Sequence, residues 1–126
     1  MKRIIQTNNA PAPIGPYSQA VVHGNTLYLS GQIAIDPESG ELMTSDIKIE
    51  TSQVMNNIEA VLQRAGTDFS QVIKSSIFLK NMDDFPEVNE VYGSRFSGQY
   101  PARETVAVRT LPKNVNVEIS MIVALD

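Results

Sequence analysis

The sequence predicts an α+β fold: a two-layer domain in which a mixed β-sheet carries two helices on one face. Three observations lead there. Hydrophobic periodicity switches between alternation and helical spacing, giving the element order β-β-β-α-β-α-β-β. Strands separated by helices need crossover connections, which make the sheet mixed. Two helices cover one sheet face and leave none for the other, so the open face points to an oligomer. At 126 residues the chain fits one compact domain, expected over 1–126.

Each element has its own signal. "KRIIQT" is a short apolar run suited to an edge strand, and "NNAPAPIGPYSQ" behind it, rich in proline, is an ordered loop. "QAVVHGNTLYLSGQIAID" is a hairpin whose turn offers Gly24 and Asn25 for positive φ, and "DPESGE" is a second turn. From Asp46 the period becomes helical. Ile47, Val54, Met55, Ile58, Val61, Leu62 and Ala65 form one face, and Gly66 is the stop signal. "QVIKSSIFLKN" returns to strand character. "DDFPEVNEVYGSRFSGQY" is predicted as a second helix, capped by Asp83 or Asp84, with Pro86 in its first turn and an inner stripe of Phe85, Val88, Tyr92 and Phe96. The last third contains two strands joined by a turn at "LPKN", read as a hairpin.

Composition narrows the chemistry. With no cysteine and one histidine, thiolate catalysis, disulfides, zinc–thiolate sites and multi-histidine metal sites are excluded. His23 beside the first turn reads as a solvated hairpin residue. Ten basic residues against fourteen acidic ones, with no basic stripe and no tryptophan, argue against a nucleic-acid partner. No stretch approaches the roughly 20 apolar residues of a membrane helix, nor is Ile4–Ile5 long enough for a signal-peptide core. The expectation is a cytoplasmic, cofactor-poor protein with no membrane association.

The final segment, "PARETVAVRTLPKNVNVEISMIVALD", places charges within β-structure. Alternation puts Val115, Val117, Ile119, Met121, Val123 and Leu125 on one face, with Asn116, Glu118, Ser120, Ile122 and Ala124 opposite. In the preceding strand Arg103, Thr105 and Ala107 share a face, and Val106 and Val108 take the other. The expected hairpin therefore has one apolar face against the helices and one polar face. On that polar face Arg103 and Glu118 are either a surface ion pair, contributing at most about 1 kcal/mol, or part of a wet pocket at an interface. Buried there, each needs a partner or a ligand.

"GPYSQA", "LYLSGQIAID", "VMNNIEAVLQRAG", "FPEVNEVYGSRF", "PARETVAV" and "LPKNVNVEISMIV", in this order, resemble the RidA family, also called YjgF, over essentially the whole chain. The resemblance implies a chorismate-mutase-like fold and a homotrimer packed through its sheets, with clefts between subunits. It also implies a cofactor-free deaminase that hydrolyses 2-aminoacrylate and small 2-imino acids to 2-oxo acids and ammonia. By the same resemblance Arg103 grips the substrate carboxylate and Glu118 holds the attacking water. Tyr17 lines the cleft from the facing side of the interface, and Ser30 and Gly31 bring backbone to the ligand, although as a sequence feature Gly31 equally marks a bulge. Phe85 and Asn89 lie nearby. Thr105 stands where many members carry cysteine, which bears on substrate range more than on the reaction. The alternatives are a non-catalytic sensor of carboxylate metabolites and an RNA-acting translation inhibitor, the latter disfavoured by charge.

Overall fold

The computed structural model describes residues 1–126. Its strands are β1 (Lys2–Ile5), β2 (Ala20–His23), β3 (Thr26–Gln32), β4 (Val72–Leu79), β5 (Ala102–Ala107) and β6 (Val117–Ala124), and its helices are α1 (Ile47–Ala65) and α2 (Phe85–Gly93). The fold is α+β, with both helices against one six-stranded mixed sheet of order β1-β2-β3-β6-β4-β5. All neighbours pair antiparallel except β4 and β5, which are parallel. No helix is long and apolar enough to cross a membrane.

Helix α1 follows its sequence signals closely. The Asp46 carboxylate accepts from the Ile49 N–H at 2.8 Å, and Gly66 ends the helix with φ +81. Val54, Met55, Ile58, Val61 and Leu62 are fully buried against the sheet. Each contributes about 1.5–3 kcal/mol by leaving water. The facing strand positions Val117, Ile119 and Val123 are equally buried.

The second helix is shorter than its sequence suggests. It ends at Gly93, and the chain then turns through a left-handed Gly98 (φ +95) and Gln99 (φ +46). Asp84 takes the N-cap position, as expected, but its side chain makes no capping hydrogen bond. A 3-10 turn at Met82–Asp84 leads into the helix, and Asn81 caps that turn by accepting from the Asp83 N–H at 2.9 Å. The amphipathic stripe survives because Phe96, beyond the helix, still packs on Tyr92, with ring centroids 4.9 Å apart.

The expected terminal hairpin does not form. Strand β5 lies at the sheet edge beside β4, and β6 inserts between β3 and β4. The cause is α2: a helix between β4 and β5 carries the chain back over the sheet, so β5 enters parallel to β4. The face assignment changes with it. Arg103 pairs with Ser75 and Thr105 with Ile77, so both are on the helix face, whereas Val106 and Glu118 pair with Phe78 on the open face. The two charges are not on one face.

The open face carries Ile4, Val21, Tyr28, Ile122, Phe78 and Val106 along with Glu118, and nothing in this chain covers it.

Candidate active site

The eight predicted site residues fall into two groups of four, one on each face of the sheet. On the open face, Tyr17, Ser30, Gly31 and Glu118 line one cavity of about 580 Å³, ample for a small metabolite. On the helix face, Phe85, Asn89, Arg103 and Thr105 gather where α2 crosses β5.

The first group is built on an irregularity in the β3–β6 ladder. Pairing is regular from Thr26 to Leu29, which pairs with Met121, and resumes only at Gln32, which pairs with Ile119. Ser30 and Gly31 therefore form a bulge opposite Ser120, and the Glu118 side chain lies against that bulge. A methyl group on Gly31 would lie 2.7 Å from Glu118 Oε2 and 2.8 Å from its Cδ. Glycine is therefore the residue that lets the carboxylate fold over the bulge. The Glu118 carboxylate is half-buried, and this desolvation raises its pKa above the ordinary carboxylate value. No lysine, arginine or histidine nitrogen comes within 4.0 Å of it.

The proline-rich loop forms the other cavity wall. The buried Gln19 donates to the carbonyls of Thr7, Ala10 and Pro11 and accepts from the Thr7 N–H at 2.8 Å. Ser30 Oγ donates to the Ser18 carbonyl at 2.6 Å, tying bulge to loop. The Tyr17 hydroxyl accepts from the Ile14 N–H at 3.3 Å, so the ring is held at the cavity edge. Lys113, in a left-handed conformation with φ +54, also lines the cavity.

In the second group, Arg103 Nη1 donates to Asn89 Oδ1 at 2.6 Å. The guanidinium carbon lies 5.3 Å from the Phe85 ring centre and 5.2 Å from that of Tyr92. Phe85 and Asn89 are one helical turn apart, which is why both meet the same arginine. Arg103 has no carboxylate within 4.0 Å, so its fork is open to an anion. Burial raises the Tyr92 phenol, while Ser75 and the Arg103 charge oppose that shift. Beside Arg103 on the same face, Thr105 Oγ1 is buried and has no hydrogen-bond partner.

Gln19 and Lys113 are site residues that reading the sequence did not single out. A glutamine opening the apolar strand "QAVV" was the available signal for the first. Nothing marked the second, because an exposed turn lysine is commonplace. No group of three or more His, Cys, Asp or Glu side chains converges as a metal site would require.

The family whose model matches residues 7–125 is described as Endoribonuclease L-PSP. A RutC family protein of Pyrococcus horikoshii is 52% identical over 97% of this chain and 97% of its own length. A protein of Dermatophagoides farinae named 2-iminobutanoate/2-iminopropanoate deaminase is 49% identical, over 99% of this chain and 98% of the relative. The crystal structure of RidA from an Antarctic Psychrobacter is 44% identical and aligns with a TM-score of 0.93, covering 97% of this chain and 98% of that one.

Proposed function

The chain belongs to the Endoribonuclease L-PSP family, also known as RidA/YjgF, and from that premise we propose that it is a deaminase of small 2-imino acids. Relatives named 2-iminobutanoate/2-iminopropanoate deaminase, at 49% and 43% identity, support an imine deaminase role. The single observation that carries the reading is that Arg103 and Glu118 each lack an ionic partner, on opposite sheet faces. Two such half-sites make one site when the open face of one subunit meets the edge of another. The proposed assembly is the homotrimer that the family resemblance implies, with three equivalent clefts.

In that cleft Arg103 binds the substrate carboxylate with its bidentate fork, and Phe85 and Asn89 hold the guanidinium in place. Thr105 offers its unused hydroxyl to the ligand. Glu118 of the adjoining subunit takes a proton from water as the water oxygen bonds to the iminium carbon. The C=N π electrons move to nitrogen, giving a carbinolamine. Glu118 returns its proton to that nitrogen, and the C–N bond breaks with its electron pair going to nitrogen. Ammonia leaves as the Glu118 carboxylate accepts the hydroxyl proton and C=O forms. Fixing the carboxylate and the water on one carbon is the main catalytic contribution.

The test generates the imine with a pyridoxal-phosphate threonine dehydratase and follows its decay to 2-oxobutanoate. Wild type should accelerate decay and Arg103→Ala should not. No acceleration by a folded, assembled wild type would overturn the deaminase reading and leave a carboxylate-binding role.

A further inference from the structure

Helix α1 faces the core with apolar side chains, yet it buries three polar ones. Of these, Thr51 only donates to the Ile47 carbonyl of its own helix, while Glu50 and Asn57 reach other elements. Glu50 is fully buried and Asn57 is 1% exposed. Glu50 has no cation within 4.0 Å, although a buried carboxylate is costly without compensation. Its compensation is backbone. Glu50 Oε2 accepts from the N–H groups of Asn116 at 2.8 Å and Val117 at 3.2 Å, and Oε1 accepts from Asn116 Nδ2 at 2.7 Å. Two turns along the helix, Asn57 Nδ2 donates to the carbonyls of Ile33 at 3.0 Å and Ile35 at 2.9 Å, while its Oδ1 accepts from Gln53 Nε2 at 2.9 Å.

These contacts grip the two cavity walls where the sheet ladder is weakest. Asn116 and Val117 immediately precede Glu118. Ile33 and Ile35 follow the Ser30–Gly31 bulge, beyond the end of β3, and both line the cavity. One rigid helix therefore sets the spacing between a carboxylate and a glycine that leaves no room for a methyl group.

We infer that Glu50 is a positioning residue for the reaction: by holding the start of β6 it aims the Glu118 carboxylate at the cavity. Satisfying three donors would serve stability alone wherever they lay. These donors lie next to the residue proposed to handle the water, and Asn57 secures the opposite wall from the same helix. The kinetic consequence rests on the deaminase reading; the geometric one does not.

The test compares wild type with Glu50→Gln, whose amide nitrogen cannot accept and so deprives at least one of the three donors. In the assembled protein, kcat should fall about 10-fold with KM within about twofold, as expected for a displaced reacting group. The Glu118 carboxyl, followed by carbon-13 NMR, should titrate closer to its ordinary value as its carboxylate leaves the desolvated position. Lys113 and Tyr17 in the cavity and Glu104 on the same sheet face are unchanged by the substitution. A folded Glu50→Gln with wild-type kcat and an unmoved Glu118 midpoint overturns the inference, whatever happens to its melting temperature. Should Glu50→Gln fail to fold, Asn116→Ala removes one contact only. It should shift both readouts the same way by less, and no shift in either overturns the inference equally. If wild type proves inactive on imines, the deaminase reading falls, and the Glu118 midpoint alone decides the positioning role.

Discussion

Arg103 and Glu118 sit on opposite faces of one sheet with strand β4 between them, Arg103 paired with Ser75 and Glu118 with Phe78. A side chain cannot pass through a hydrogen-bonded sheet, so a ligand touching both must touch two chains. This gives a complementation test. In the proposed trimer, Arg103→Ala and Glu118→Ala should each be inactive, and co-refolding them at equal ratio should restore about a quarter of wild-type activity, because one random cleft in four receives both intact residues. Assay before and after mixing checks this; no recovery from mixed trimers would place both residues' action within one chain.

Arg103→Lys should lose about 10- to 100-fold in kcat/KM while the protein stays folded. Lysine keeps the charge but cannot bond Asn89 and also present a fork to a carboxylate, which forfeits a charge-assisted hydrogen bond of about 1.5–3 kcal/mol. Steady-state kinetics with a melting curve separates this from unfolding, since Arg103 is exposed.

Gly31→Ala should separate activity from stability. The atoms nearest the new methyl, Oε2, Cδ and Cγ, all belong to the Glu118 side chain, which can swing away. The melting temperature should therefore change little while turnover falls at least about 10-fold, because the carboxylate is what moves. A variant with normal activity would show that the Glu118 position over the bulge is unimportant.

The raised Glu118 pKa makes two linked predictions. Its folded carboxyl holds the proton more tightly than the unfolded chain does. Ionisation therefore removes stability as pH rises from about 4.3, the unfolded value, through the raised folded value. Glu118→Gln should accordingly melt higher than wild type at pH 7 to 8, with the gap narrowing as pH falls toward that unfolded value. Acting as a base, Glu118 should also place the acid limb of the wild-type activity profile above pH ~4.3.

Thr105→Val should stabilise the protein and weaken ligand binding together. The shape is kept and a buried hydroxyl with no partner is removed, a group whose burial costs about 1–3 kcal/mol. Denaturant unfolding and binding of 2-oxobutanoate, read side by side, check both directions. A stabilised variant that binds as tightly as wild type would assign the hydroxyl no ligand.

The residues show where sequence reasoning reaches. Helix α1 was legible to its ends because Asp46, the apolar stripe and Gly66 are local signals acting within one turn of where they stand. Helix α2 was overextended because the stripe through Phe96 continues after the helix stops; aromatic packing, not helical geometry, keeps that residue inside. Gly31 read equally as a bulge or as room for a ligand, and the structure makes it a bulge that accommodates Glu118.

By itself, then, the sequence determined the element order, the α+β class and the residue types at the site, since alternation, capping and turn chemistry are short-range. Only the tertiary structure decided which strands are neighbours. Alternation says that Arg103 and Thr105 share a face but not which one. That choice follows from β5 being carried over the sheet by α2 and docking parallel to β4, a long-range packing outcome no local pattern encodes. It separates Arg103 from Glu118 within one chain, which is the reason for proposing that each finds its counterpart in another.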